Sequence, residues 1–124
     1  MINWNDYKNF NEDEFKCSET GECAMRADFL DKLQQMRTLV GQPFTITSGY
    51  RSEKHSVEVK KEKPGIHTMG RAADIACDGR FAFQIIKAAT LVGMTGIGVS
   101  QRGSARFVHV DDYEGGPRPN VWSY

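Results

Sequence analysis

Hydrophobic positions along the chain resolve into a short series of periodic segments. In AMRADFLDKLQQMRTLVGQP, residues 24–43, Phe29, Leu30, Leu33, Met36, Leu39 and Val40 recur at helical spacing, and Gly41 followed by Pro43 is a stop signal. The pattern predicts a helix that turns one apolar stripe to a core. PFTITSGYRS then reads as a short strand, Phe44 and Ile46 alternating against Thr45 and Thr47, that runs into a glycine turn. Residues 53–65, EKHSVEVKKEKPG, are charged and broken by Pro-Gly, the pattern of a solvated loop. RAADIAC is small and alternating, as in a crowded sheet centre. DGRFAFQIIKAATLVG offers Asp78 as N-cap, Phe83, Ile86, Ala89 and Leu91 or Val92 as the apolar face, and Gly93 as the end. GIGVS and ARFVHVD, separated by QRGS, predict a hairpin. The tail YEGGPRPNVWSY carries too much Gly and Pro for regular structure, with Trp122 and Tyr124 left to pack on the body. This order of elements points to an α+β fold.

Composition adds bounds. Hydrophobic residues make up 40% of the chain and charged ones 26%, which is ordinary for a globular protein. A length of 124 residues allows one core. The expectation is one domain over 1–124, with residues 1–14 as an N-terminal extension and 113–124 as a packed tail. The 16 basic and 16 acidic side chains cancel, which argues against a nucleic-acid binder or a strong pull toward an anionic membrane. No apolar run approaches the roughly 20 residues of a membrane span. MINWNDYKNFNEDEF lacks the basic start and apolar stretch of a signal peptide, so synthesis in the cytoplasm without an export signal is expected. Cys17, Cys23 and Cys77 are an odd number, and CSETGEC is too widely spaced for the usual zinc pair. Plain thiols are the expectation, a local disulfide or minor structural site the alternative.

The candidate chemistry lies in GIHTMGRAADIACDG, residues 65–79. If His67 and Asp74 shared one helix they would sit about 10 Å apart along its axis, too far for donors that must each come within about 2 Å of one ion. On one unbroken strand the odd spacing would send them to opposite faces. Only a bend brings them together, and it is easiest at Gly70, which has no Cβ. Ala72 and Ala73 leave room for another segment to approach. FVHVDD supplies a third donor: on a strand, Phe107, His109 and Asp111 share one face while Val108 and Val110 point into the opposite layer. Two imidazoles and one carboxylate with a position open are the ligand set of a hydrolytic zinc centre. The competing reading is histidines that are simply packed. Asp111 on the same face suits a general base, or a partner that orients the imidazole. Asp112 faces the other way. Arg51 can fix a substrate carboxylate, stabilise an oxyanion, or merely cap loop carbonyls. His55, in the charged loop, reads as a surface histidine.

Taken jointly, SGYRS (48–52), HTMGRAAD (67–74) and FVHVD (107–111) resemble the zinc D-Ala-D-Ala carboxypeptidase family, the M15 peptidases, whose fold is shared with the hedgehog signalling domain. The resemblance covers most of residues 15–124. It implies a central antiparallel sheet flanked by helices, and one zinc per chain on His67, Asp74 and His109. It places Arg51, with Ser48 and Tyr50 of the same motif, on the substrate side. The implied substrate is a peptidoglycan stem peptide or cross-link, cut by a monomeric carboxypeptidase or endopeptidase. Small members of this kind are often phage endolysins, which reach the bacterial cell wall by phage-assisted release. A zinc-containing module that binds wall peptide or a protein partner without cutting is the alternative. Two positions depart from the pattern. Gly65 stands where the family usually has serine, and Arg106 stands where several relatives place an acid as general base.

Overall fold

The structure, a computed structural model, describes residues 2–63 and 65–124. Helix α1 spans Ala27–Val40 and α2 spans Gly79–Val92. Five strands, β1 (Thr45–Ser48), β2 (Ala72–Ala76), β3 (Gly96–Ser100), β4 (Phe107–Asp111) and β5 (Asn120–Ser123), form one sheet in the order β1-β2-β4-β3-β5. The three pairings from β1 to β3 are antiparallel, whereas β5 lies parallel to β3. The expected antiparallel sheet is therefore mixed at one edge.

Strand parity divides the sheet into two faces. Ala73, Ile75, Val108 and Val110 are fully buried and meet Phe29, Leu30, Leu33 and Met36 of α1 and Ala82, Ile85 and Ala89 of α2 in one apolar cluster. Both helices thus cover the same face. Removal of this apolar surface from water is the main drive for folding. Ala72, Asp74, His109 and Asp111 alternate with those core residues and point to the other face, as period-two geometry requires. No helix among the described residues is long and apolar enough to cross a membrane.

Several expectations shift. Helix α1 begins at Ala27 rather than near Ala24, because Arg26 is extended and Met25 is drawn into the core. Gly41 ends it in the left-handed conformation, φ 73°. Leu39, placed on the apolar stripe, is exposed. The buried face of α2 is rotated by one residue from the expected one: Ala82, Ile85, Ala88 and Ala89 are inside, and Phe83 and Leu91 are exposed. Small alanines let α2 lie close to α1 and the sheet, so the bulky Phe83 faces out. Asp78 occupies the N-cap position of α2 without a side-chain capping bond. The tail is not irregular throughout. Beyond Pro119, Asn120–Ser123 has no proline and pairs with the open edge of β3. At the other end, Tyr7 and Phe10 are buried with Phe15, and the Tyr7 hydroxyl donates to Asp31 Oδ1 at 2.8 Å. The N-terminal segment is thus part of the core. In the loop 53–65, Glu58 is buried rather than solvated; Pro64 of the Pro-Gly break lies outside the described residues, as does Met1. All three cysteines are free.

Candidate metal centre

A single transverse row of the sheet carries the site. Register places Ser48 opposite Asp74, Asp74 opposite His109, His109 opposite Gly98, and Gly98 opposite Trp122. Ser48 joins this row because a bulge between Ile46 and Ser48 reverses the side-chain parity of β1. His67 enters from a short 3-10 helix, Ile66–Met69, that precedes β2. Gly70 caps that turn at φ 70°, and the carbonyl of Ala24 lies where its side chain would be. This is the bend that brings His67 to the same face as Asp74.

The three ligand atoms lie within 4.8 Å of one another. Asp74 Oδ1 is 3.4 Å from His67 Nε2 and 3.0 Å from His109 Nδ1. Donors at about 2 Å around a tetrahedral zinc are roughly 3.3 Å apart, so these separations suit one small divalent ion. The far nitrogen of each imidazole is already engaged. His67 Nδ1 donates to the Gly49 carbonyl at 2.8 Å, and His109 Nε2 bonds Asp111 Oδ2 at 2.7 Å. With those protons placed, His67 Nε2 and His109 Nδ1 direct their lone pairs toward Asp74. The donor set therefore fits zinc on chemistry and on orientation.

Electrostatics are consistent with a cation site. Burial pushes the Asp74 carboxyl up, but hydrogen bonds and charge from His109 and His67 outweigh it and hold the group well below the usual carboxylate range. Burial likewise pulls His109 down, and the carboxylates of Asp111 and Asp74 more than reverse that, raising it.

Asp111 does not sit where a general base is needed. It is fully buried, and its oxygens are taken by His109, by the Tyr113 amide at 3.3 Å, and by Arg118 Nε and a terminal guanidinium nitrogen at 3.0 and 2.9 Å. It lies across the imidazole ring of His109 from Asp74, so it cannot reach a reactant beside the three ligands. Strand parity brought it next to His109 but does not determine which ring nitrogen faces it. Asp112 faces away, bonded to Lys32 and Arg71.

Arg51 lies at the β1 end of the row. One terminal nitrogen donates to Glu58 Oε2 at 2.9 Å and the other approaches Ser48 Oγ at 3.4 Å. Ser48, Tyr50 and Arg51 line a groove of about 170 Å³ with Lys16, Thr47 and His55. His55 is not part of the centre: its Nε2 lies 3.1 Å from Glu19, and its Nδ1 accepts from the Val57 amide at 3.1 Å.

The remaining walls were not assigned from sequence. Arg118 lies 4.9 Å over the Trp122 ring, and that ring lies 5.3 Å from His109. Gly98 makes this possible, since a Cβ there would come within 2.6 Å of the Trp122 indole nitrogen. Tyr124 lies 5.2 Å from Phe107 on the same side. The alternation of glycines in GIGVS and of aromatics in NVWSY was the available signal.

Glu58 is the other residue that sequence reasoning missed. Its side chain is 0% exposed, with Lys61 Nζ at 3.0 Å and the Gly65 amide at 2.7 Å besides Arg51. Burial pushes its carboxyl up, yet the Gly65 amide, Arg51 and Lys61 together lower it to about 2. A depressed carboxyl stabilises the fold above its unfolded value, and that contribution is lost as pH falls through the folded value. Wild type should therefore exceed Glu58→Gln in stability by at most about 3 kcal/mol at pH 7. The gap should narrow from about pH 5 and vanish near pH 2, read from urea midpoints across that range. A gap independent of pH would contradict this account.

With the sheet, the His-Asp-His group and the flanking arginine in view, the molecule is an α+β domain with a candidate metal centre. The family model described as Peptidase M15 matches residues 8–111, and the chain belongs to that family. Membership implies a peptidase, and the zinc dependence of M15 peptidases agrees with a group that can hold a metal. The match ends at Asp111, so Arg118, Trp122 and Tyr124 lie beyond it. No curated protein matches the sequence significantly.

Proposed function

We propose that this chain is a zinc peptidase that hydrolyses peptide bonds in bacterial peptidoglycan stem peptides or cross-links, as a monomeric lytic enzyme that reaches the wall by phage-assisted release. The observation that carries the proposal is the convergence of His67 Nε2, Asp74 Oδ1 and His109 Nδ1, each oriented by a bond on its far side or by its neighbours. Zinc held there supplies a Lewis acid and brings the acidity of water to near neutrality. The chain's own residues do the rest. Gly49 and Asp111 fix the two imidazoles, so the site needs little reorganisation. Arg51, beside Ser48, offers guanidinium protons to a substrate carboxylate or to a carbonyl oxygen that gains charge. Trp122 packs beside His109 on the opposite side, with Tyr124 beyond it against Phe107. Asp111 acts here as a positioning carboxylate, and Arg118 neutralises it.

Purified protein is expected to hold about one zinc per chain. Chelation should remove cleavage of a defined muropeptide, and added zinc should restore it. Cleavage that persists in metal-free protein would end the proposal. A second reading, a zinc-bearing module that binds wall peptide or a protein partner without cutting, is favoured by one observation: Asp111 is closed by Arg118 and His109, and Arg106 occupies the other candidate position for a base. Zinc-loaded protein that binds muropeptides of several wall types and releases no fragment by mass spectrometry would select it.

A further inference from the structure

We infer that Glu58, a carboxylate shut away from solvent in the loop before His67, is the positioning residue that sets Arg51 for the peptide substrate. This rests on the peptidase reading above. A buried carboxylate is costly unless fully paired, and Glu58 is fully paired by groups that bear on the site. Its Oε2 accepts from Arg51 at 2.9 Å and from Lys61 at 3.0 Å, and its Oε1 accepts from the Gly65 amide at 2.7 Å. Gly65 starts the turn that carries His67, and the Arg51 amide donates to the His67 carbonyl at 3.1 Å. One side chain thus ties the guanidinium, the loop and the His67 turn together. The fit is close: a Cβ on Gly65 would lie 2.9 Å from Lys61 Nζ and 3.2 Å from Glu58 Oε1.

The consequence for Arg51 is loss of freedom. A free arginine side chain samples many rotamers. Here one terminal nitrogen is tied to Glu58 and the other is directed to Ser48, which stands opposite Asp74 in the sheet. The guanidinium is thus held in the groove that Arg51 lines with Ser48, Gly49 and Tyr50, so a substrate oxygen entering that groove meets a donor already in place. The Glu58 carboxylate itself touches no substrate, because none of its side-chain surface is exposed.

A double-mutant cycle tests this. With zinc-loaded protein and a defined muropeptide, Glu58→Gln should lower kcat/KM about tenfold, and Arg51→Ala about a hundredfold. The double variant should be no worse than Arg51→Ala within about twofold, since Glu58 has nothing left to position. If Glu58→Gln costs the same factor in both backgrounds, Glu58 only holds the loop and the inference is overturned. Should Glu58→Gln fail to fold, side-chain NMR of ¹⁵N-arginine-labelled wild type decides. Individually resolved, slowly rotating Arg51 terminal N–H signals, absent from Arg51→Lys, support the inference, and averaged signals overturn it. Absence of cleavage by zinc-loaded wild type ends the peptidase reading and this inference with it, whereas cleavage with additive variants ends the inference alone.

Discussion

Asp74→Ala protein is expected to lose zinc and hydrolysis together while keeping its fold. Asp74 supplies the one carboxylate of the group, and its Oδ1 is the atom nearest both imidazole donors, at 3.4 and 3.0 Å. A structural zinc site of four ligands binds with about 10–16 kcal/mol, so loss of one ligand costs roughly 3–4 kcal/mol, or a hundred- to a thousandfold in affinity. Asp111→Asn makes the informative comparison. It weakens the orientation of His109 without removing a ligand, and about a ten- to hundredfold loss is expected. Competition with a chromogenic chelator measures both. Affinity should also fall at low pH, as the raised His109 takes up a proton on the nitrogen that the metal needs. Asp74→Ala protein that retains one zinc per chain at wild-type affinity would remove Asp74 from the ligand set, and with it the proposed centre.

How far the site was legible depends on which residues are asked about. Parity alone put Val108 and Val110 in the core and His109 on the other face, because a strand allows only two directions. The need for a bend between His67 and Asp74 followed from distances, and Gly70 was the residue that could supply it. What one strand cannot show is the orientation of a ring. His109 and Asp111 share a face, yet which nitrogen faces Asp111 depends on Asp74 of the neighbouring strand. Glu58 was unreadable for a related reason. In EKHSVEVKKEKPG every local signal is that of a solvated loop, and the partners that make its burial tolerable, Arg51 and the Gly65 amide, converge only in three dimensions. Strand β5 was missed because the Gly-Pro segment before it dominated the composition of the tail, while its pairing partner, the open edge of β3, exists only once the sheet has formed. The one-residue rotation of α2 reflects packing against α1 and the sheet, which favoured the alanine face over the bulkier one.

Gly70→Ala is expected to be the most disruptive single-methyl substitution near the site, and Gly41→Ala is its control. Both glycines have left-handed backbone, φ 70° and 73°. An L-residue in that conformation costs roughly 1–2 kcal/mol. Around Gly41 nothing lies within 4 Å of a new Cβ, so Gly41→Ala should cost about that and no more. At Gly70 the new methyl would run into the carbonyl of Ala24, with the Met25 Cα 3.0 Å away, and neither is a flexible side-chain end. The segment cannot simply withdraw, because the Arg26 amide donates to the Gly70 carbonyl at 2.9 Å and Met25 is buried in the core. A total near 3–5 kcal/mol is expected, which for a domain of this size lowers Tm by roughly 10–20 °C. The damage should not stop at stability. Relief of the clash must move the turn that carries His67 or the strand that carries Asp74, so zinc affinity should fall in Gly70→Ala and stay at the wild-type value in Gly41→Ala. Equal effects of the two substitutions on both Tm and zinc affinity would show that the close approach of the Ala24 segment plays no part in holding His67 and Asp74 together.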